Sequence, residues 1–433
     1  MRPPPLVETL PPGACPLPVE LFKTFSTRPG CVFLDSALTS ATARHSILAC
    51  EPSLVVRGDG EKLNRLRTEL ATRACAPVPG LPFVGGAIGY FSYDYGSALE
   101  GVSTRSPSAL PALAFGFYDA AVLHDHITGQ THLVASNPSD LDRVRGLVEA
   151  PVPSPQSFSA GKLVADLTPE VYADAIKRIR NYIAAGDVYQ VNFTQRFSAS
   201  FTGAAASLHL RLRALSPAPH TAFLDFGDHQ LVSSSPERLL RVAGRTLETR
   251  PIKGTVARLT DPIADAAQRT RLLASAKDHA ELLMIVDLAR NDLGRVCVPG
   301  SVHVTARHDL ETYATVHHLV ATVRGELTPN LDRFDALRAL HPGGSITGAP
   351  KIRAMQIIAE LEPAPRQVYT GSLGYLGYDG DADLAIAIRT ITCAEGRAHY
   401  HVGGGITWDS NAAAEYQETE HKGSAMRAAL TAP

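Results

Sequence analysis

Lys253 lies in the segment Pro251-Ile252-Lys253-Gly254-Thr255, where a proline and a glycine constrain the backbone around it. Lysine is scarce in this chain, and most of the positive charge is arginine. A lysine amine can lose its proton and become a nucleophile, whereas an arginine stays protonated. We therefore treat Lys253 as a candidate nucleophile, with an ordinary turn lysine as the alternative.

Three glutamates are candidates for metal binding or proton transfer. Glu281 and Glu418 fall on predicted helices, and Mg²⁺ is bound by a few carboxylate oxygens while it keeps several waters. Each of them could instead be a solvated helix-face residue, and Glu418 has an i,i+4 partner in Lys422. Glu237 follows a serine-rich strand end, and its alternative role is an ion pair with Arg238.

Several other features are typical of anion binding. The glycine-rich segment 342–351 leads into a predicted helix, whose first backbone N–H groups bind anions. Arg389 follows the apolar run 384–388 and needs a carboxylate partner, either from a ligand or from the protein. The glycines 403–405 could form a simple turn, and His318 by default is a buried structural histidine. Together these residues fit a magnesium-assisted enzyme acting on a small polycarboxylate.

The composition excludes several classes of protein. The 433 residues are 45% hydrophobic, with a net charge of -2 and a pI near 6.8. Neither nucleic acid nor an anionic membrane surface is expected as a partner, because the chain has no excess of positive charge. No run of about 18 apolar residues is present to cross a membrane. The six cysteines are dispersed, which indicates reduced thiols and a cytoplasmic protein.

The elements that must position these residues come in runs of strands rather than in regular strand–helix alternation. This pattern predicts an α+β fold with antiparallel sheets. A proline- and serine-rich seam at 151–157 divides the chain into residues 1–157 and 158–433. Helices are predicted from Pro169 to Gly186, from Pro262 to about 291, from Pro350 to before Pro363, and at about 412–430; strands are predicted at 188–197, 230–233, 302–305, 318–323 and 384–392.

Taken together, the ordered motifs resemble those of the chorismate-utilising enzymes. The resemblance extends from Thr168 to the C-terminus, and more loosely to residues 34–37 and 85–94. It is carried by Gly186-Asp187-Val188-Tyr189-Gln190-Val191-Asn192, Pro251 to Thr255, Met284 to Leu288 with Arg290 to Arg295, and Gly344 to Lys351. The resemblance implies a fold of two large antiparallel sheets packed as a sandwich, with helices outside and both halves of the chain contributing.

Two positions distinguish branches of this family. Members that form anthranilate usually have alanine at the position of Lys253, and members that add water have a lysine at the position of Gln190. The combination in this chain implies lysine-assisted amination of chorismate to 4-amino-4-deoxychorismate, the precursor of 4-aminobenzoate and folate or of a related metabolite. The alternatives are an anthranilate synthase component I and, from another class, a non-catalytic regulator that binds chorismate or tryptophan.

The resemblance also implies a role for each site residue. Lys253 attacks ring C2 while the C4 hydroxyl leaves, Glu237 protonates that hydroxyl, and His318 lies near C4. Glu281 and Glu418 hold Mg²⁺. The substrate carboxylates are held by Arg389, Lys422, Tyr369, Thr347 and the backbone at Gly405.

Two partners are implied besides chorismate. None of the six cysteines lies in a glycine-flanked nucleophile turn, so ammonia is expected from a separate glutaminase subunit. Relatives bind tryptophan, as an inhibitor or a structural ligand, near the segment that matches Leu34-Asp35-Ser36-Ala37.

Overall fold

Two antiparallel β-sheets form the centre of the protein, whose computed structural model describes residues 3–40, 42–103, 108–313 and 316–431. Side chains from both sheets share one buried cluster, which includes Ile47 and Leu231 from one sheet and Ile88 and Leu373 from the other. The remaining core lies between each sheet and the helices outside it. The predicted α+β sandwich is thereby confirmed.

Within the described ranges the elements run as follows. The strands are β1 (Leu6–Leu10), β2 (Val32–Asp35), β3 (His45–Ala49), β4 (Leu54–Gly58), β5 (Gly86–Phe91), β6 (Leu113–Tyr118), β7 (Ala120–Asp125), β8 (Thr131–Ala135), β9 (Phe158–Ala160), β10 (Val164–Ala165), β11 (Gln190–Gly203), β12 (His220–Asp225), β13 (His229–Ser235), β14 (Arg238–Ala243), β15 (Thr246–Arg250), β16 (Ile252–Ala257), β17 (His303–Thr312), β18 (Val316–Glu326), β19 (Gly348–Ala349), β20 (Ser372–Gly377), β21 (Ala382–Ile386), β22 (Thr390–Ala394) and β23 (Arg397–Ile406). The helices are α1 (Pro18–Phe25), α2 (Lys62–Thr72), α3 (Tyr93–Leu99), α4 (Pro138–Glu149), α5 (Pro169–Ala184), α6 (Ala205–Leu215), α7 (Pro262–Leu273), α8 (Ala276–Gly294), α9 (Arg333–Leu340), α10 (Lys351–Leu361) and α11 (Ala412–Thr431).

The two sheets each combine strands from both halves of the chain. The larger sheet has the order β1-β8-β7-β3-β2-β12-β13-β22-β23-β11-β10, and β9 and β19 also pair with β11. The smaller sheet has the order β16-β18-β15-β14-β21-β20-β5-β6-β4, and β17 also pairs with β18. The division into 1–157 and 158–433 stays a prediction, and it does not separate the sheets.

Local sequence signals explain where the helices near the site begin. The Thr168 side chain accepts a hydrogen bond from the Val171 N–H and precedes a proline, so α5 begins where predicted. The Ser275 side chain caps α8 in the same way and breaks the predicted tract at 262–291 into α7 and α8. Val171 faces solvent rather than the core, because it lies in the first turn of α5.

The glycines of segment 85–94 allow strands to approach closely. A Cβ at Gly89 would lie 1.9 Å from the Ala114 carbonyl oxygen on the adjacent strand β6. Any side chain there would therefore displace the backbone of β6.

The predicted strand 384–392 is wrong in one respect. The chain forms β21 in the smaller sheet and β22 in the larger sheet, and Arg389 lies in the connection with a φ of 50°. A residue with positive φ cannot continue a strand, so the chain turns here and crosses from one sheet to the other. Arg389 therefore lies between the sheets rather than within a strand.

No helix in the described part of the chain has both the length and the apolar character needed to cross a membrane.

Candidate active site

Lys253 lies on β16, opposite Leu319 of β18. The next residue, Gly254, has a φ of 68°, and a Cβ there would lie 2.9 Å from the Leu272 side chain. Glycine is therefore required for α7 to pack against this strand. The half-buried Lys253 amine donates a hydrogen bond to the Ser345 carbonyl oxygen at 3.3 Å.

The surroundings of Lys253 favour the neutral amine. Burial lowers its pKa from the ordinary value, the charges of Glu281, Glu237 and Glu418 oppose that shift, and Lys422 reinforces it. These four charged groups come from α8, α11 and the connection between β13 and β14, and all of them act on the amine of β16. The fold therefore brings the predicted residues together. The neutral form is the nucleophilic one.

Glu237 is the buried acid of the site, with 5% of its surface exposed. Burial raises its pKa to about 7, while the Ser345 side chain, the Lys253 charge and the Ile252 backbone N–H act in the opposite direction. A carboxyl group with this pKa can carry and release a proton near neutral pH.

The alternative ion pair between Glu237 and Arg238 is wrong. Arg238 donates instead to Glu248 at 3.0 Å and to Asp383 at 2.8 Å. Glu237 lies in the connection between β13 and β14, whereas the Arg238 guanidinium is bound by these two carboxylates. Glu237 thus remains available to the Lys253 side of the sheet.

Glu281 and Glu418 lie on α8 and α11, and each has a lysine partner one helical turn away. Glu281 lies 3.8 Å from the Lys277 ammonium, and Glu418 lies 2.7 Å from the Lys422 ammonium. Burial alone would raise the pKa of Glu418, but Lys422, Lys277 and Lys253 hold it below its ordinary value. Glu418 is thus ionised at neutral pH, as a metal ligand must be.

A third carboxylate, Glu415, lies beside Glu418 over Gly404 of β23. A Cβ at Gly404 would be 3.0 Å from the Glu415 carboxylate and 3.4 Å from that of Glu418, so the glycine leaves room for both. Burial and the Glu418 charge raise the pKa of Glu415. Among the described residues, no set of three histidine, cysteine or carboxylate ligands converges closely enough to enclose a metal. This sparse oxygen donor set fits Mg²⁺, which takes one or two protein carboxylates together with waters and substrate oxygens.

Arg389 is half-buried and has no ion-pair partner among the described residues. Burial lowers its pKa, and no acidic group in the described ranges counteracts that shift. An unpaired guanidinium in such a place is costly for the protein and suited to a ligand carboxylate. The prediction that Arg389 needs an anionic partner agrees with this geometry.

His318 lies close to Arg389 and one strand away from Lys253. Its Nδ1 is 2.7 Å from the Thr255 hydroxyl, and its buried Nε2 has no partner in the structure. Burial, followed by the Arg389 charge, lowers its pKa to about 3. His318 is therefore a neutral imidazole at physiological pH, with one ring nitrogen free for a ligand.

The other predicted substrate contacts lie around the same strands. The Lys422 ammonium donates to the Gly403 carbonyl oxygen at 3.0 Å, and Gly405 pairs with Asn192 of β11. The Tyr369 ring stacks on His401 at 5.0 Å. Thr347 is fully buried, and it donates its hydroxyl hydrogen to the Gly343 carbonyl oxygen at 2.9 Å. Its own carbonyl oxygen accepts from the Asn192 N–H at 2.8 Å, so Thr347 ties the glycine-rich loop to β11 in this structure.

Three further groups belong to this site although they are absent from the predicted set. Ser345 contacts both Lys253 and Glu237, and Glu415 accompanies Glu418. Gln190 is 1% exposed, and neither atom of its amide has a partner. Buried amides in folded proteins are normally hydrogen-bonded, so an unpartnered one indicates a missing ligand.

The loop that supplies Ser345 is held by a buried arginine. Arg366 donates to the Ile346 carbonyl oxygen at 2.9 Å, to the Asn192 carbonyl oxygen at 2.6 Å, and to Glu362. Its guanidinium also lies over the Tyr369 ring at 5.8 Å. One side chain thus links three segments that carry site residues.

A separate cavity of about 240 Å³ lies between the sheets. Its lining includes Leu34, Asp35 and Ser36 of the predicted tryptophan segment, together with Tyr375 and Asp383. Asp35 accepts a hydrogen bond from Arg213 at 2.7 Å, and another from Ser46. The cavity therefore combines an apolar wall with fixed charges.

This site and its fold are those of the chorismate binding enzyme family, whose sequence profile matches residues 33–428. The chain belongs to this family. The prediction of a chorismate-utilising enzyme is confirmed.

The chain is similar over most of its length to members of two branches of the family. The chain is 42% identical to aminodeoxychorismate synthase component 1 of Salmonella typhimurium over 393 residues, which cover 90% of this chain and 86% of the relative. It is 40% identical to anthranilate synthase component 1 of Streptomyces coelicolor over 419 residues, covering 91% and 82%. The crystal structure of anthranilate synthase component I from Streptococcus pneumoniae superposes with a TM-score of 0.79 at 35% identity, covering 90% of this chain and 94% of that one.

Proposed function

We propose that this protein is the chorismate-aminating component of an aminodeoxychorismate synthase, forming 4-amino-4-deoxychorismate from chorismate and ammonia. The observation that carries the proposal is Lys253, a half-buried lysine with a lowered pKa that lies beside a buried carboxyl group. The names of several relatives, at 40–44% identity, support the same activity.

In the proposed reaction, the neutral Lys253 amine forms a bond to ring C2 while both ring double bonds shift and the C4–O bond breaks. Glu237 gives its proton to the departing hydroxyl, which leaves as water. Ammonia then bonds to C4 and gives a proton back to Glu237, both double bonds shift back, and the C2–N bond breaks to release the neutral Lys253 amine. The enolpyruvyl group stays on the ring throughout.

Chorismate binding in this proposal rests on charge complementarity. Arg389 and Lys422 bind the substrate carboxylates. The backbone near Gly405 and Thr347 and the ring of Tyr369 provide further contacts with the substrate. Glu281 and Glu418 would hold Mg²⁺, which would neutralise a substrate carboxylate. His318, a neutral imidazole, lies on the side of the site near Arg389.

Two partners complete the proposal. Ammonia comes from a separate glutaminase subunit, in keeping with the "component 1" in the names of the relatives. Tryptophan occupies the cavity lined by Leu34, Asp35 and Ser36 as a structural or inhibitory ligand, which native mass spectrometry of the purified protein would detect. The product serves 4-aminobenzoate and folate synthesis.

Product analysis tests the activity. Purified protein is incubated with chorismate, Mg²⁺ and ammonium at alkaline pH, and the products are identified by mass spectrometry. An aminated product that keeps the enolpyruvyl group, and that becomes 4-aminobenzoate only when a lyase is added, is the expected result. Release of pyruvate with formation of anthranilate would overturn the proposal.

Anthranilate synthesis is the second candidate, because a relative with that name is 40% identical over most of the chain. Lys253 favours the first candidate, since anthranilate formation at C2 would place the incoming nitrogen where the lysine itself attacks. The product assay separates the two.

A further inference from the structure

Three large exposed side chains lie on segments at one end of β11. Tyr189 is 75% exposed, Trp408 is 53% exposed and Ile352 is 46% exposed, and we call them the aromatic patch. Tyr189 and Trp408 lie two residues beyond Val191 and Ile406, the last paired residues of β11 and β23. The Tyr189 N–H donates to the Ala349 carbonyl oxygen at 2.8 Å, which places the start of α10, with Ile352, beside it.

Each member of the aromatic patch adjoins the active site along the chain. Tyr189 precedes Gln190, whose buried amide has no partner, and Trp408 follows Gly405 by three residues. Ile352 follows Lys351, the end of the glycine-rich loop that supplies Ser345. The patch is therefore the outer surface of the strands and loop that line the site.

Arginines and a tyrosine surround the aromatic patch. The Arg180 guanidinium lies over the Trp408 ring at 5.2 Å, and that of Arg353 lies over the Tyr182 ring at 5.1 Å. Arg353 also pairs with Asp187 at 2.9 Å. Trp, Tyr and Arg are the residues that contribute most to protein–protein binding energy.

A second group of exposed apolar residues lies on and before α7 and α8, and consists of aliphatic side chains: Leu259, Ile263, Leu273 and Leu283. Leucine is under-represented among the residues that dominate interfaces. Composition therefore favours the aromatic patch over this aliphatic group as a binding surface.

We infer that the aromatic patch is the docking surface for the glutaminase subunit that supplies ammonia. The inference rests on the proposed function. Ammonia released into bulk water at neutral pH is protonated and is no longer a nucleophile, so its source must dock beside the site that consumes it. Tyr189 directly precedes Gln190, so a partner docked on the patch would lie beside the segment that carries the unpartnered Gln190 amide.

The test compares two nitrogen sources in the full-length chain mixed with its class I glutaminase subunit. In Tyr189→Ser and Trp408→Ser we expect the glutamine-dependent rate of chorismate amination to fall at least about tenfold at limiting glutaminase. The ammonium-dependent rate should stay within about twofold of wild type, which also shows that each variant is folded. Ile263→Ser, which removes a side chain that is 82% exposed on α7, is the matched control and should leave both rates unchanged.

Other outcomes overturn the inference. An unchanged glutamine-dependent rate in both patch variants would show that the partner docks elsewhere, and loss of that rate in Ile263→Ser alone would assign docking to α7. If the chain alone is a dimer by light scattering and Tyr189→Ser makes it monomeric, the patch binds a second copy instead. Failure of the wild type to aminate chorismate with ammonium would refute the proposed function; docking would then be read from co-elution with the glutaminase.

Discussion

Lys253 and Glu237 are held by different atoms of one residue, Ser345. The Lys253 amine donates to the Ser345 carbonyl oxygen at 3.3 Å, and the Ser345 side chain hydrogen-bonds to the Glu237 carboxyl group. The two groups also act on each other, because the carboxylate raises the pKa of the lysine and the ammonium lowers that of the glutamate. Burial opposes both effects, and it favours a neutral amine beside a protonated acid, which is the pair that adduct formation requires.

Replacing Lys253 should abolish amination while leaving substrate binding largely intact. We expect Lys253→Ala to lower the rate at least about 1,000-fold, since the nucleophile is lost. Intact-protein mass spectrometry with chorismate and no ammonia should show a covalent adduct on the wild type and none on the variant. Lys162→Ala, far from the site, is the control; an adduct on Lys253→Ala would assign the nucleophile elsewhere.

The pH dependence of adduct formation should report Glu237. Its pKa of about 7 means that the proton donor is lost as pH rises through that value, so the adduct rate should fall on the alkaline side. The Lys253 amine has the opposite requirement, because only its neutral form attacks, and burial lowers its pKa from the ordinary value. Glu237→Gln should be slower by about 100-fold and should lack the alkaline decline. Persistence of that decline in the variant would mean that another group donates the proton.

Two carboxylates on facing helices should govern magnesium affinity. We expect Glu281→Ala and Glu418→Ala each to weaken Mg²⁺-dependent chorismate binding at least about tenfold, measured by calorimetry. Glu420→Ala is a matched control on α11, because Glu420 pairs with Arg427 and not with the site lysines. Equal losses in all three variants would indicate a general effect of charge.

Arg389 is expected to lower the stability of the ligand-free protein and to strengthen chorismate binding. Arg389→Met removes a half-buried guanidinium that has no charge partner among the described residues, so the melting temperature of the ligand-free protein should rise by about 3 °C. The KM for chorismate should rise at least about tenfold in the same variant, because a carboxylate contact is lost. A lower melting temperature would show that Arg389 supports the fold rather than the ligand.

The sequence was sufficient to predict the fold class and the starts of those helices that follow a capping residue or a proline. Caps at Thr168 and Ser275 and the prolines at 262 and 350 set the helix starts, and these depend on neighbours along the chain. The crossing at Arg389 was not predictable, because an apolar run continues on both sides and only tertiary packing decides which sheet each part joins.

In the candidate site, too, some residues were predictable from the sequence and others only from the tertiary structure. Lys253 and the glutamates are recognisable by residue type and motif, and the structure brings Lys253, Glu237, Glu281, Glu418 and Lys422 together. Ser345 acts mainly through its backbone, which leaves no signal in composition or spacing. Gln190 is recognisable in the sequence only as a position that separates branches of the family, and its lack of a hydrogen-bond partner appears only in the structure. Arg366 links the segments that carry them, and apart from Glu362, Tyr369 and Thr370 its contacts are remote in sequence.

Because strands from residues 1–157 and 158–433 pair within both sheets, neither half of the chain is expected to be soluble alone. Strand β12 pairs with β2, and β20 pairs with β5, so a fragment of residues 158–433 would leave both strands with one bare edge. Bare edges recruit other strands, and such a fragment should collect in inclusion bodies when produced alone. Co-production of residues 1–157 as a separate chain should return it to the soluble fraction. A monodisperse 158–433 fragment on its own would show that these edges are protected in another way.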